Sequence, residues 1–245
     1  MNQRNLQPLP SVTPDTKILC ILAHPDDIDF GAGGTIAHAV AQGAKVSYVI
    51  TTDGNQGGED PNISREEMAR IRRQEQTQAG KILGVENITF LGKMDGSVFP
   101  TLELRKKFVE QIRIARPQIL ITQSPERNWE RIFASHPDHL ATGEAAVQAV
   151  YPDARNQFAF PDLLEKGLEP WRVEQLWLTG HPNPNSYQKV TDYFDKKIQA
   201  LTAHYSQTNH VTDWPEMVKG WMQTVAERAQ LPEGELAEAF FLANA

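Results

Sequence analysis

The sequence predicts an α/β fold in which a mostly parallel sheet of about five or more strands is covered by helices on both faces. Apolar, β-branched runs of strand length alternate along the chain with longer stretches of helical periodicity. Capping residues or glycines bound several of the helical stretches. Ligands of such sheets bind outside the carboxyl ends of the strands, so chemistry is expected there.

Five segments have the length and composition of strands. They cover residues 17–23, 45–51, 88–91, 118–123 and 174–179. Helical periodicity marks the segments that lie between or after them, at residues 33–42, 62–83, 101–116, 137–150, 191–206 and 215–230. Asn62 or Ser64 can cap the long second helix, and Gly84 can end it. Residues 152–172, rich in Pro, Phe and Trp, predict an irregular surface segment.

The 245 residues can bury one large core, and we expect one domain over residues 17–245 behind a loose N-terminal arm, residues 1–16, with three prolines. The net charge of −7 offers no basic field for nucleic acid, and no segment has the length of a membrane span. Cys20 is the only cysteine, which excludes an intrachain disulfide. We therefore expect a soluble, cytoplasmic protein that acts on a small molecule, with Phe240 and Phe241 available for burial between subunits of a homo-oligomer.

Two short motifs carry the chemistry. Ala23-His24-Pro25-Asp26-Asp27 directly follows the first strand, and His136-Pro137-Asp138-His139 follows the fourth strand at the expected start of a helix. In each motif, residues three apart can direct their side chains to one point. Either motif alone is more often a turn or a helix cap. Their joint placement after two strand ends favours a shared site.

The residue types in these motifs suit metal-assisted hydrolysis. With His24, Asp27 and His139 as ligands, a zinc ion would have three protein ligands and an open position for water. This is the pattern of a catalytic zinc site, because a structural site fills all four positions with protein ligands. Asp26 and His136 then remain as a base and an acid.

The glycine-rich segment 30–35 has an alternative interpretation as a phosphate-binding turn. Its spacing is not G-x-G-x-x-G, and no acidic residue closes the second strand where a ribose would bind, so we interpret these glycines as close-packing residues. A second glycine-rich segment, residues 51–58, either lines the pocket or is flexible. Residues 55–63 and 125–135 are expected to form the pocket rim, where substrate choice is made.

Together with motifs further along the chain, these features resemble the PIG-L/LmbE-like zinc-dependent de-N-acetylases. The further motifs are Arg72-x-x-Glu75 with Leu83-Gly84, Asp95, Lys197-x-x-Ala200-Leu201-x-x-His204-x-Ser206-Gln207 and Glu238-Ala239-Phe240. The resemblance covers nearly all of the chain after residue 16 and implies a Rossmann-like three-layer fold. It also implies one zinc ion and the removal of acetyl from an N-acetylated amino sugar, often an N-acetylglucosamine conjugate.

By matching motif positions, the resemblance implies a role for each site residue. It makes His24, Asp27 and His139 the metal ligands, Asp26 the general base, His136 the electrophilic or acid partner, and Arg72 and Asp95 contacts of the sugar conjugate. Asp138 is expected either to orient His136 and keep it protonated or to be a plain helix cap. Glu75 is expected to pair with Arg72 one helical turn away.

The chain departs from the family pattern at one point. Many members have Glu directly after the Asp pair, where this chain has Ile28 and then Asp29. The metal ligands stay intact, and only the residues that support them are put in doubt.

Two other function classes stay open: a catalytically idle metal- or nucleotide-binding module on the same fold, and a metal-dependent phosphoesterase. The complete base and acid pair and the lack of a phosphate loop favour amide hydrolysis over both.

Overall fold

The structure is a computed structural model that describes residues 5–245, and eight strands in that range form one sheet. The strands are β1 (Gln7–Pro8), β2 (Lys17–Leu22), β3 (Lys45–Thr52), β4 (Asn87–Lys93), β5 (Ile119–Gln123), β6 (Gln175–Thr179), β7 (Ser186–Lys189) and β8 (Ala237–Asn244). Their order across the sheet is β1-β7-β8-β6-β5-β2-β3-β4. Strand β8 is antiparallel to both of its neighbours, and the other pairs are parallel. The mostly parallel sheet predicted from the sequence is confirmed.

Helices cover both faces of this sheet. They are α1 (Asp27–Ala41), α2 (Arg65–Leu83), α3 (Leu102–Ala115), α4 (Pro137–Gln148), α5 (Pro161–Glu165), α6 (Phe194–Thr202), α7 (Tyr205–Thr208) and α8 (Trp214–Arg228). Because side chains alternate along a strand, Ile18, Cys20 and Leu22 of β2 pack with α1, α2 and α6. Leu19 and Ile21 pack on the opposite face with α3 and α4. The result is the predicted three-layer sandwich.

Local signals end several helices where the sequence predicted. The Ser64 hydroxyl accepts a hydrogen bond from the backbone N–H of Glu67 at 3.2 Å, so Ser64 and not Asn62 caps α2. Gly84 ends that helix at a φ of 88°, a left-handed conformation that costs glycine little. Within residues 5–245, no helix combines the length and the apolar composition needed to cross a bilayer.

Helix α1 begins well before its predicted start at Gly33. Ala32, with φ −150° and ψ 15°, interrupts the helix and divides it into two pieces. At the start of the second piece, the backbone N–H groups of Gly34 and Thr35 donate to the Glu238 carboxylate of β8 at 3.0 and 2.7 Å. A partner two hundred residues away in the sequence therefore stabilises a glycine-rich helix that propensity alone does not predict.

The expectation of a loose arm is wrong for residues 5–16, while residues 1–4 lie outside the described residues. Strand β1 pairs with β7 at the edge of the sheet, and Leu6 and Leu9 are buried. A two-residue strand that contains a proline has no hydrophobic periodicity of its own, so only its docking on β7 reveals it.

Strands β7 and β8 were likewise not predicted from the sequence. Phe240 in β8 is fully buried, with its ring centroid 6.0 Å from that of Trp177. Phe241 is partly buried and stacks on His181 at a centroid distance of 4.2 Å. Both rings therefore pack within this chain, which corrects their expected place between subunits. The homo-oligomer stays a prediction, and these two aromatic rings do not support it.

Candidate active site

The two predicted motifs meet at one edge of the sheet. Residues 24–26 form the turn between β2 and α1, and residues 136–139 lie at the start of α4, after the loop that leaves β5. Strands β2 and β5 are paired in parallel, so their carboxyl ends lie side by side. The topology brings together two segments that are more than a hundred residues apart in the sequence.

The ligand atoms of three side chains converge at this edge. His24 Nδ1 lies 3.1 Å from His139 Nε2 and 3.3 Å from Asp27 Oδ2. His139 Nε2 lies 3.0 Å from Asp27 Oδ1. Ligand atoms bound at about 2.0–2.2 Å to a tetrahedral zinc ion lie roughly 3.3–3.6 Å from one another, close to the spacing of these atoms. The three predicted metal ligands therefore fit one divalent ion.

Carboxylates dominate the electrostatics around His24. Burial disfavours the charged imidazolium, but the neighbouring carboxylates, Asp27 first, outweigh burial and raise the pKa of His24 to about 12. Burial also disfavours the charged form of Asp27, yet the adjacent His139 and His24 hold the pKa of that carboxyl well below its usual range. The three carboxylates around His24, those of Asp27, Asp95 and Asp138, suit a cation bound nearby.

Asp138 supports His24 and not His136, which corrects the expected orienting role. Asp138 Oδ2 lies 3.3 Å from His24 Nε2. The same carboxylate accepts the backbone N–H groups of Gly96 at 2.7 Å and Val98 at 3.0 Å. A carboxylate behind a metal-binding imidazole orients the ring and leaves the other nitrogen free for the metal.

Asp95 lies on the same side of His24. Asp95 Oδ1 is 3.1 Å from His24 Nε2, and Asp95 Oδ2 accepts the backbone N–H of Gln56 at 3.3 Å. When His24 Nδ1 is a ligand, His24 Nε2 carries one hydrogen, which one carboxylate can accept at full strength. Asp138 is held by two further backbone donors, so Asp95 is the less constrained of the two carboxylates.

His136 caps helix α4 with its own ring. His136 Nδ1 accepts the backbone N–H of Asp138 at 3.2 Å, so this nitrogen carries no hydrogen. Burial and the neighbouring His24 and His139 lower the pKa of His136. The hydrogen bond places the ring hydrogen on Nε2, and the lowered pKa favours a neutral ring over the protonated His136 that was expected. It can still donate one hydrogen bond to a developing negative charge.

Asp26 is held from helix α2. Its backbone has a φ of 90°, a left-handed conformation that is uncommon outside glycine. The guanidinium of Arg72, only 4% exposed, donates to Asp26 Oδ2 at 3.0 Å, to Gly54 O at 2.9 Å and to Pro25 O. Burial raises the pKa of Asp26, and the nearby Arg72 partly opposes this. Arg72, expected to contact sugar, thus holds Asp26 in the structure.

Glu75 does not pair with Arg72 as predicted. The Glu75 carboxylate accepts the Ser206 backbone N–H and the Ser206 hydroxyl, both at 2.7 Å. Arg72 faces the turn at Asp26, and Glu75 faces α7. Residues three apart on a helix can reach each other, but here each has a stronger partner outside the helix.

All of the predicted site residues except Asp27 and Asp138 line one cavity of about 460 Å³, a volume typical of small-molecule sites. Its lining comprises His24, Asp26, Gln56, Gly57, Arg72, Asp95, Gly96, His136 and His139. The second glycine-rich segment thus contributes to the cavity. Residues 126–130 instead line a separate cavity with Pro182 and Asn183. Gln56 was not singled out as a site residue, although its place in a glycine-rich loop after β3 was a usable signal.

The glycines of residues 30–35 do not form a phosphate site. The Glu238 carboxylate occupies the backbone donors of Gly34 and Thr35, where a phosphate would have to bind. A Cβ atom on Gly34 would lie 2.9 Å from the Cβ of Val190. These contacts confirm the close-packing interpretation and remove the support for nucleotide binding at this turn.

Comparisons with known proteins agree with this geometry. Residues 19–150 match the family model described as PIG-L: GlcNAc-PI de-N-acetylase. The diacetylchitobiose deacetylase of Thermococcus kodakarensis is 33% identical over 210 residues, which cover 86% of this chain and 76% of that protein. A probable N-acetyl-alpha-D-glucosaminyl L-malate deacetylase 2 of Bacillus anthracis is 29% identical over 229 residues, covering 89% of this chain and 92% of that protein.

A solved structure extends the likeness to the whole fold. The N,N'-diacetylchitobiose deacetylase from Pyrococcus horikoshii, complexed with its inhibitor MPG, matches with a TM-score of 0.85 and 30% identity. The match covers 93% of this chain and 84% of that chain. The relatives are hydrolases that remove N-acetyl groups, and the resemblance inferred from the motifs is confirmed. This chain belongs to the PIG-L family of de-N-acetylases.

Proposed function

We propose that this deacetylase uses one zinc ion, held by His24, Asp27 and His139, to release acetate from an N-acetylglucosamine conjugate. The observation that carries the proposal is the convergence of the three ligand side chains beside Asp26 and His136, at a cavity that all of these residues except Asp27 line. Among possible conjugates we favour an N-acetylated disaccharide, since the relatives from Thermococcus and Pyrococcus are named for diacetylchitobiose.

The residues of the cavity supply the acid and base chemistry. A bound zinc ion supplies Lewis acidity, which acidifies water and polarises a carbonyl oxygen. Asp26 takes a proton from the attacking water through Oδ1, because Arg72 holds Oδ2. Burial raises the pKa of Asp26, which strengthens it as a base.

The neutral His136 stabilises the charge that develops on the acetyl oxygen. Its Nδ1 is occupied by the helix, so its Nε2–H is the donor available to the cavity. Asp26 then delivers the proton to the amide nitrogen as the C–N bond breaks, and acetate and a free amine result. Asp95 binds a sugar hydroxyl, because its carboxylate is the less constrained of the two behind His24.

A phosphoesterase is the weaker alternative. Arg72 is the permanently charged cation among the residues that line the cavity, and its guanidinium already binds Asp26 and two backbone carbonyls. Asp26 and Asp95 would repel a phosphate monoester. A neutral acetamido sugar meets no such repulsion.

The test is acetate release from diacetylchitobiose, N-acetylglucosamine and N-acetylglucosaminyl malate, with an aryl phosphate beside them. We expect release from at least one sugar substrate, loss of activity with a chelator, and recovery with zinc. His139→Ala should lose stoichiometric zinc and activity, because two ligands hold zinc far less tightly than three. His38→Ala is the matched control, since His38 packs on Tyr193 away from the cavity. Activity that survives complete removal of metal, or hydrolysis of the aryl phosphate alone, would contradict the proposal.

We also propose that the protein works in the cytoplasm. Its single cysteine, Cys20, is a free, buried thiol and needs no oxidising compartment.

A further inference from the structure

The backbone at Asp26 is held in its left-handed conformation by two side chains of helix α2. Gln76 Oε1 accepts the backbone N–H of Asp26 at 2.8 Å. Arg72, one helical turn earlier, donates to the preceding carbonyl, Pro25 O. The peptide that joins Pro25 to Asp26 is therefore bound at both of its polar groups. Its orientation decides where the Asp26 carboxylate points.

Gln76 is in turn bound by a buried ion pair. Gln76 Nε2 donates to Asp29 Oδ2 at 2.8 Å, and His204 Nε2 lies 2.8 Å from the same oxygen. Gln76, Asp29 and His204 are each fully buried. Although burial disfavours the imidazolium, Asp29 raises the pKa of His204. None of these three residues was assigned a role from the sequence. Asp29 lies where the chain departs from the family pattern, and His204 lies in the motif that begins at Lys197.

Both polar atoms of the Gln76 side chain have a hydrogen-bond partner, but Asp29 and His204 each keep one buried polar atom without one. Asp29 Oδ1 and His204 Nδ1 are buried and have no hydrogen-bond partner among the described residues. Buried polar atoms without partners are unfavourable, so packing alone gives no reason to place a carboxylate and an imidazole here. A role in orienting the candidate site does give a reason for both groups.

We propose that His204, Asp29 and Gln76 are positioning residues for the catalytic base, a role that rests on the proposed function of Asp26. The Asp29 carboxylate accepts but does not donate, so it selects the amide orientation that turns Gln76 Nε2 toward Asp29 and Gln76 Oε1 toward the Asp26 N–H. Reversing the amide would set two N–H groups against each other at Asp26. His204 holds Asp29 in place. A side-chain amide does not titrate at neutral pH, so this chain of contacts transmits orientation and not a proton.

The structure offers a matched control between the same two helices. Ser206 of α7 binds Glu75 of α2, one residue before Gln76, but neither touches Asp29, Gln76 or Asp26 through the hydrogen bonds described. Ser206→Ala therefore weakens the contact between α7 and α2 and leaves the positioning chain intact.

The kinetic test compares four variants on the best sugar substrate at saturating zinc. We expect His204→Ala to lower kcat about 10-fold and Gln76→Met about 10- to 100-fold, with KM and zinc content unchanged, since a misplaced base slows chemistry without weakening binding. His204→Gln keeps an N–H donor for Asp29, so its kcat should be close to the wild-type value and well above that of His204→Ala. Ser206→Ala should keep the wild-type kcat.

A double variant separates positioning from general destabilisation. His204→Ala combined with Gln76→Met should be no slower than Gln76→Met alone, because both act through the same hydrogen bond to Asp26. Losses that multiply would overturn the proposal. So would a folded His204→Ala protein with wild-type kcat.

Amide exchange gives a readout that needs no activity. In metal-free protein followed by NMR, Gln76→Met and His204→Ala should speed hydrogen exchange of the Asp26 amide relative to Ser206→Ala. If exchange accelerates while wild-type protein releases no acetate from any sugar, the proposed function fails and the positioning chain stands. If acetate is released but Asp26 exchange and kcat do not respond, the chain fails and the proposed function stands. Should His204→Ala not fold, Gln76→Met decides by the same two measurements.

Discussion

At the residue scale, two imidazoles of the site, those of His24 and His136, each use their two nitrogens differently. His24 turns Nδ1 to Asp27 and His139, and Nε2 to Asp138 and Asp95. His136 gives Nδ1 to the helix and leaves Nε2 for the cavity. Residues of one type thus acquire different roles, one as a proposed ligand and one as a proposed donor, through which ring nitrogen the backbone or a carboxylate occupies.

Asp26→Asn tests the base at this scale. Asparagine tolerates the left-handed backbone and can keep the Arg72 contact, so the change removes the basic oxygen and little else. We expect kcat to fall about 10²- to 10⁴-fold while zinc content stays stoichiometric. Initial acetate-release rates and metal analysis of the same preparation check this. A variant that turns over at a rate near the wild type would show that another group takes the proton.

At the element scale, helix α1 depends on β8 and α6. Its second piece receives the Glu238 carboxylate at its first free N–H groups, and Lys197 Nζ of α6 lies 2.6 Å from Glu238 Oε1 and donates to Phe30 O at 2.6 Å. The pair is almost fully buried. Phe30 lies in the first piece of α1, which begins at Asp27. The pair therefore also holds this piece of the helix beside the candidate site.

Removing one member of this pair should be costly. Glu238→Ala leaves the buried Lys197 charge without its partner and should lower the free energy of unfolding by about 3–5 kcal/mol. The double variant Lys197→Met with Glu238→Gln buries no charge and keeps an acceptor for the Gly34 N–H. Its free energy of unfolding should therefore fall by less than that of Glu238→Ala. Urea unfolding of the metal-free proteins measures both. Glu67→Ala, which breaks an exposed pair with Arg70, is the control for removing a charge. A double variant as unstable as Glu238→Ala would contradict this account.

At the scale of the whole molecule, the order of strands places the β1 edge of the sheet, which contributes to stability, far from the candidate site. The motifs lie at the ends of β2 and β5, near the middle of the sheet, while β1 lies at its far edge beyond β6, β8 and β7. Strand β8 joins the two halves as the antiparallel member between β6 and β7. Changes at the β1 edge should therefore affect folding without reaching the cavity.

Deletion of residues 1–9 tests this separation. It removes the buried side chains of Leu6 and Leu9, each worth about 1.5–3 kcal/mol of burial, so the melting temperature should fall. The kcat/KM for the best sugar substrate should stay at the wild-type value. Leu9→Ala should show a smaller shift in the same direction. An unchanged melting temperature would mean that this segment contributes nothing to the core.

Local sequence determined the parts of this protein that depend on neighbours along the chain. Strand and helix periods, the Ser64 cap, the Gly84 stop and the spacing within the two histidine motifs act over a few residues, so five of the eight strands and the motifs of the candidate site followed from them. Tertiary structure alone decided that Asp138 faces His24, that His136 Nδ1 caps helix α4, and that His204 reaches Gln76 through Asp29. The reason is that a hydrogen-bond partner is chosen by differences of less than an ångström, which only the packed arrangement of distant elements sets.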